Sequence, residues 1–252
     1  EVRPTSADEL LDALTLSGGA HPLNGTVTGA LVLTGHSGAN ASGSAVFRRP
    51  AAGTCVLGRC EYVSPTIPLT HFELRCDLSF ASLGPRDGLS LSYGDHLGHE
   101  RGYGGGEGLR VSVHPHTRRV RAWLGNVDVG SGRLEPASLL ATNVPTPFVV
   151  DVRCVPTPLG ESGHTGVLRV SFGGVLLIDN ALLPNWQPLV RADWRVGLGA
   201  STAFEGQFGT VAGMAHMVQG IELRMGAAFM RAEVPFSISY NAQDYFPPVS
   251  MP

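Results

Sequence analysis

The chain has 252 residues, 43% of them hydrophobic and 15% charged, with a formal net charge of -3. That balance supplies a full core and excludes a broadly basic binder of polyanions, and no apolar run approaches the ~20 residues that a membrane-spanning helix needs. The 33 glycines and 18 prolines, spread along the whole chain, predict many tight turns between short strands.

The N-terminal "EVRPTSADELLDALTLSGG" has neither the basic start nor the apolar centre of a signal peptide, so either a leader has been removed or the sequence is cut from a longer chain. A short helical turn is predicted over Ser6 to Leu14, capped by Ser6 with Glu9 three residues on. Residues 1–12 are read as a lead segment, 13–224 as one β-domain and 225–252 as an extended tail or linker. Asn24-Gly25-Thr26 and Asn40-Ala41-Ser42 are N-glycosylation sequons. With four cysteines, an even number, they favour a secreted or cell-surface, oxidised protein.

From there the pattern is strand-like. The candidates are "GALVLTG", "GSAVFRR", "HFELRCDLSF", "GLSLSYG", "GLRVSVHP", "RRVRAWLGNVDV", "FVVDVRCV", "GVLRVSFGGVLLID", "WRVGLGAS" and "MVQGIELR". No long helical pattern intervenes, so the fold class is all-β, with two antiparallel sheets packed face to face.

Alternation fixes the faces. Phe72, Leu74, Cys76, Leu78 and Phe80 share one side of their strand, and Phe148, Val150, Val152 and Cys154 one side of theirs. Both cysteines therefore face the core, and a Cys76–Cys154 bridge would leave Cys55 and Cys60 to close "CVLGRC". The other two connectivities, and four buried thiols, stay open.

In "VSVHPHTRRVRAW", Pro115 marks the turn of a hairpin whose strands are "VSV" and "VRAW". His96, His99, His114 and His116 supply four ring nitrogens, but in glycine- and proline-containing segments that do not fix ring geometry, so no metal site is predicted. Arg118, Arg119 and Arg121 form the densest basic patch, expected to solvate the hairpin tip or to pair with acidic neighbours. In the tail, Phe236, Ile238 and Tyr240 alternate with polar residues, as in one amphipathic strand with no obvious mate.

The order of four pieces resembles the L-type lectins, within the concanavalin A-like (LamG-like) sandwiches. They are Leu14 to Pro50, "RDGLSLSYGD" followed by "GYGGGEG", "GVLRVSFGGVLLIDN" with "DWRVGLGAST", and "AHMVQGIEL". The third piece looks like that fold's back-sheet strand pair. The resemblance implies a jelly-roll sandwich of about a dozen strands and a sugar pocket at Asp87, Gly104, Gly105 and Gly106, with Ser201, Thr202 and Phe204 as the opposite wall. A carboxylate accepts sugar hydroxyls, and glycine lets backbone N–H groups approach the ring.

The departure lies at the metal. Where calcium-dependent members carry acidic ligands, this sequence has Ser112 and His114, and no carboxylate stands between Glu107 and Asp128. No cofactor is therefore expected. Paired catalytic carboxylates at hydrolase spacing are also missing: Glu73 and Asp77 share a face but stand about 13 Å apart along one strand.

Two readings follow. One is a non-catalytic, calcium-independent, extracellular lectin-like module for adhesion or surface recognition, with glycans or glycoproteins as partners and no nucleic acid. The other is a structural subunit of a glycoprotein assembly or filament, its tail docking on a neighbouring copy through Phe236, Ile238 and Tyr240. A glycan hydrolase is a third and weaker reading.

Overall fold

The computed structural model describes residues 11–22, 30–33, 42–47, 69–80, 88–94, 108–135, 139–156, 164–201 and 216–226. They form fourteen strands: β1 (Leu14–Gly18), β2 (His21–Pro22), β3 (Leu31–Val32), β4 (Ser42–Phe47), β5 (His71–Ser79), β6 (Gly88–Gly94), β7 (Leu109–His114), β8 (Arg119–Leu124), β9 (Val127–Arg133), β10 (Thr146–Pro156), β11 (His164–Phe172), β12 (Val175–Leu183), β13 (Arg195–Ser201) and β14 (Met217–Gly226). Residues 11–13 are helical, and Leu14 already belongs to β1.

Two seven-stranded antiparallel sheets result. The front sheet runs β1-β4-β13-β6-β7-β8-β9 and the back sheet β12-β11-β10-β5-β14-β3-β2. Leu89, Leu91, Tyr93, Val111, Val113, Val120 and Ala122 point inward from the front sheet, and Phe72, Leu74, Leu78, Phe148, Val150, Leu168 and Val170 meet them from the back. The alternation read from the sequence is the alternation observed, because each sheet buries one face only.

The core is closed at one end by aromatic rings. Trp186, on the one-turn helix Trp186–Leu189, donates its indole N–H to the Thr70 carbonyl at 2.9 Å. Its ring lies 5.9 Å from Tyr93 and 6.5 Å from Trp194, and Tyr93 touches Phe72 edge-on at 5.1 Å. On the outer face of the back sheet, Glu73, Arg75, Glu222 and Arg224 form an ion-pair ladder, with Arg75 to Glu73 at 2.7 Å and Arg224 to Glu222 at 2.6 Å.

Three expectations need correction. "RRVRAWLGNVDV" is two strands, since Leu124 pairs with Val127 across Gly125-Asn126 and Gly125 adopts φ +56°, the first central position where a type II′ turn needs glycine. "GVLRVSFGGVLLID" likewise folds as β11 and β12 around Gly173 and Gly174, both at positive φ. Those two strands pair in the back sheet, whereas "WRVGLGAS" lies in the front sheet between β4 and β6, so the third resembling piece spans both sheets.

The third correction concerns the cysteines. Cys76 and Cys154 are buried on the face that alternation assigned, and their strands are neighbours. Yet Cys76 stands opposite Phe148, and Cys154 follows six residues later on the same strand. That separates them by about 20 Å at ~3.3 Å per residue, where a disulfide needs Cα atoms within ~7 Å. They do not bridge each other. Parity assigns a face to a residue, and register decides its neighbour. Burial, and then the charge of Asp77, pushes the Cys76 thiol above its ordinary range, so it stays protonated and inert. Cys55, Cys60, Asn24, Asn40, His96, His99, Phe236, Ile238 and Tyr240 lie outside the described residues.

Candidate functional site

The outward positions of the front sheet form three rows, set by its register. At one end, Ser201 of β13 pairs with Gly88 of β6, while Leu89 pairs with Val113, so His114 ends β7 beside Gly88. His114 in turn pairs with Arg119, and Arg119 with Arg133. The middle row is Gly199, Ser90, Ser112, Arg121 and Ser131. The third is Gly197, Ser92, Arg110, Trp123 and Asp128. The β13 and β6 half of this face therefore carries glycine and serine, and the β7 to β9 half carries cations and an indole.

Of the sequence-predicted pocket, the structure places Ser201 at the end of β13, opposite Gly88. Asp87, which precedes Gly88 in the chain, lies outside the described residues, as do Gly104, Gly105, Gly106, Thr202 and Phe204. The segment holding the three glycines is anchored at Gly94 and Gly108, the opposite end of β6 and about 20 Å from Gly88. The two anchors approach so closely that a Cβ on Gly108 would stand 2.7 Å from the Gly94 Cα, which is why glycine is required there.

The predicted hairpin is present: β7 ends at His114, and the Arg118 amide donates to the Pro115 carbonyl at 3.1 Å. Arg118 takes φ +50° to close that turn. Ser112 and His114 both point outward, at the positions where the resemblance would put acidic calcium ligands. Ser112 is fully buried, and its hydroxyl has no hydrogen-bond partner among the described residues. The His114 ring makes an edge contact with Trp123 at 6.2 Å. Among the described residues no group of three or more His, Cys, Asp or Glu side chains could hold a metal ion.

Around these two residues stands a cluster that the sequence reading divided. The Arg110 guanidinium lies 4.4 Å from the centroid of the Trp123 ring, and that of Arg121 lies 5.1 Å away. Arg121 also pairs with Asp128 at 3.0 Å. In sequence Arg121 groups with Arg118 and Arg119 at the hairpin tip, whereas cross-strand register unites Arg110 with Trp123, a pairing that neither strand shows by itself. The available signal was parity, since Arg119, Arg121 and Trp123 alternate on one strand and Arg110, Ser112 and His114 on the other.

Burial, then Arg121, then Arg110, hold the His114 imidazole below its ordinary range. The unfolded chain, with histidine near pH 6.5, then takes the proton first. Stability is complete above about pH 6.5 and declines as the pH falls below it. Thermal melts between about pH 7.5 and pH 5 are expected to show this decline, and His114→Gln to flatten it. An identical slope in the variant would assign the acid sensitivity to other groups.

A cleft of about 520 Å³ lies between the Gly125-Asn126 turn and Pro184-Asn185, at the Gly94 end of the front sheet. Its described lining residues include none of the predicted site residues.

No protein-family model matches the chain, and no curated protein does so at the level of sequence. Solved structures match its fold. The metal-free carbohydrate recognition domain of Emp46p is 14% identical with a TM-score of 0.54, over 88% of this chain and 92% of that one. Arcelin-5, a lectin-like defense protein from Phaseolus vulgaris, is 11% identical with a TM-score of 0.55, over 85% and 93%. The exoplasmic/lumenal domain of VIP36, in a form bound to Ca2+ and Man3GlcNAc, is 11% identical with a TM-score of 0.51, over 90% and 86%. The fold is an L-type lectin-like jelly roll, as the order of sequence pieces implied.

Proposed function

We propose that the chain is a non-catalytic, lectin-like carbohydrate-binding module whose ligand lies on the outer face of the front sheet, in an extracytoplasmic setting and without calcium. The observation that carries this reading is the pairing of Gly88 with Ser201. It sets the strand ends that adjoin Asp87 and Thr202 in the chain next to each other, at the end of the sheet where His114 and Arg119 also stand.

Independence from calcium rests on Ser112 and His114. A serine hydroxyl and a cation-flanked imidazole cannot supply the six to eight hard oxygens that calcium needs. The setting is supported by the two sequons, and among the described residues no helix is long and apolar enough to cross a membrane.

A glycan array probed in the presence of a calcium chelator tests the proposal. Binding is expected to persist in chelator, and Asp87→Ala is expected to weaken it at least tenfold, the loss of about two charge-assisted hydrogen bonds. An array with no binding glycan, or binding that chelation abolishes, would overturn it.

A further inference from the structure

We propose that the cleft between the Gly125-Asn126 turn and Pro184-Asn185 is a second ligand site, which takes one neutral sugar residue between the side-chain amides of Asn126 and Asn185. The choice of a sugar rests on the carbohydrate-binding reading, while the cleft itself lies at the opposite end of the front sheet from Gly88 and Ser201.

The cleft arises where the edges of the two sheets part. Strand β9 closes on β12 at Gly130 and Gly132, where the absence of a side chain admits Ile178 and Leu177. Nearer the turn, the residue is Val127. It pairs with Leu124, which is buried, so both side chains lie on the inner side of the sheet, yet Val127 is 56% exposed. An inward-facing valine open to solvent marks a hollow that the two sheets do not fill. Its volume of about 520 Å³ falls within the ~300–1,000 Å³ of small-molecule sites.

Both walls are held before any ligand arrives. The Gly125 amide donates to the Gly108 carbonyl at 2.9 Å, which ties the turn to the residue preceding β7. Across the cleft, the Asn185 carbonyl accepts the Leu189 amide at 3.0 Å, and Trp186 is fixed by its 2.9 Å bond to Thr70. Asn185 takes φ +54°, a left-handed conformation that asparagine tolerates better than most residues. Its side chain makes no capping bond to the one-turn helix that follows. Neither that amide nor the amide of Asn126 has a hydrogen-bond partner among the described residues. Two unengaged amides on fixed backbone lose little freedom on binding.

The lining selects the ligand. Leu124, Val127, Pro184 and Leu189 supply aliphatic surface, and no charged side chain stands among the described lining residues. A charged ligand would lose water there without gaining a counter-charge. A primary amide offers two donors and an acceptor, so each asparagine can accept from one hydroxyl and donate to its neighbour. A pyranose presents that combination, with vicinal hydroxyls around its rim and C–H groups on its faces. A purely apolar ligand would instead cover both amides without satisfying them.

Titration of the isotope-labelled full chain tests the site through the side-chain amide signals of Asn126 and Asn185. The probes are the methyl glycosides of mannose, galactose and N-acetylglucosamine, with methyl glucuronoside as the charged counterpart. At least one neutral glycoside is expected to shift both amides, and to do so equally in Asp87→Ala. Asn185→Gly keeps the left-handed backbone and removes the amide, so it is expected to weaken binding about fivefold or more, read at Asn126. Asn126→Ala is expected to do the same, read at Asn185, and Val127→Trp to abolish binding by filling the hollow. Circular dichroism of each variant confirms the fold. Glycosides that bind through Asp87 with both asparagine amides unmoved would overturn the second site and leave the carbohydrate reading standing. Shifts at both amides that persist in Asp87→Ala, beside a glycan array without hits, would overturn the front-face reading and leave the second site standing. Methyl glucuronoside binding as tightly as the neutral glycosides would overturn the neutral ligand class, and a set of glycosides that moves neither amide would overturn the site.

Discussion

Replacing Trp186 with alanine is expected to destabilise the protein by about 4–8 kcal/mol, a large share of the about 5–15 kcal/mol that a folded domain possesses. Two losses combine. The indole is fully buried against Tyr93, Trp194, Leu183 and the backbone of Gly166, so truncation opens a cavity worth about 3–5 kcal/mol. The Thr70 carbonyl, which accepts the indole N–H at 2.9 Å, then stays buried without its donor, at about 1–3 kcal/mol more. Trp186→Phe removes the second contribution and little of the first, so it should cost about 1–3 kcal/mol. Equilibrium unfolding in urea reads both. A loss below about 2 kcal/mol for the alanine variant would show that the aromatic cluster does not hold the sheets together at this end.

The second large effect concerns the line where the two sheets meet. Strand β9, at the edge of the front sheet, packs on β12, at the edge of the back sheet, and its inward positions are Gly130 and Gly132. A Cβ on Gly132 would stand 2.5 Å from the Leu177 carbonyl oxygen and 2.6 Å from the Leu177 Cβ, atoms that cannot withdraw without moving the strand. At Gly130 the nearest atom is the Ile178 Cγ2, at 3.1 Å on a side chain that can turn. Gly132→Val is therefore expected to cost about 3 kcal/mol or more, and Gly130→Ala less than about 1 kcal/mol. Thermal unfolding of both separates a packing constraint from a general dislike of side chains on β9. Equal and small losses would mean that the sheet edges stand farther apart than described.

Much of this fold was legible in the sequence, because period-two alternation shows which residues face inward wherever one face of a sheet is wet. The strands holding Phe72 to Leu78 and Phe148 to Cys154 are where the pattern placed them, facing as expected. What alternation cannot carry is register. The Cys76–Cys154 bridge failed on register alone, and the Arg110–Trp123 contact was hidden for the same reason, since nothing in either strand by itself names its partner. Hairpins went unseen where two-residue turns, Gly125-Asn126 and Gly173-Gly174, interrupt an otherwise continuous alternation. The site was half legible. Ser112 and His114 marked the missing acidic ligands, but the cluster that occupies their place draws one arginine from β7, one from β8 and an indole between them. That arrangement comes into view once the β7–β8 hairpin is folded.

The outer face of the front sheet is the proposed ligand surface. The most direct test is amide and indole chemical-shift mapping of the full chain with its best-binding oligosaccharide. Shifts concentrated in β6, β7, β8 and β13, with movement of the Trp123 indole and none of Trp186, are the predicted result. Shifts confined to β5, β10, β11 or β12 of the back sheet, with Trp123 unmoved, would contradict it.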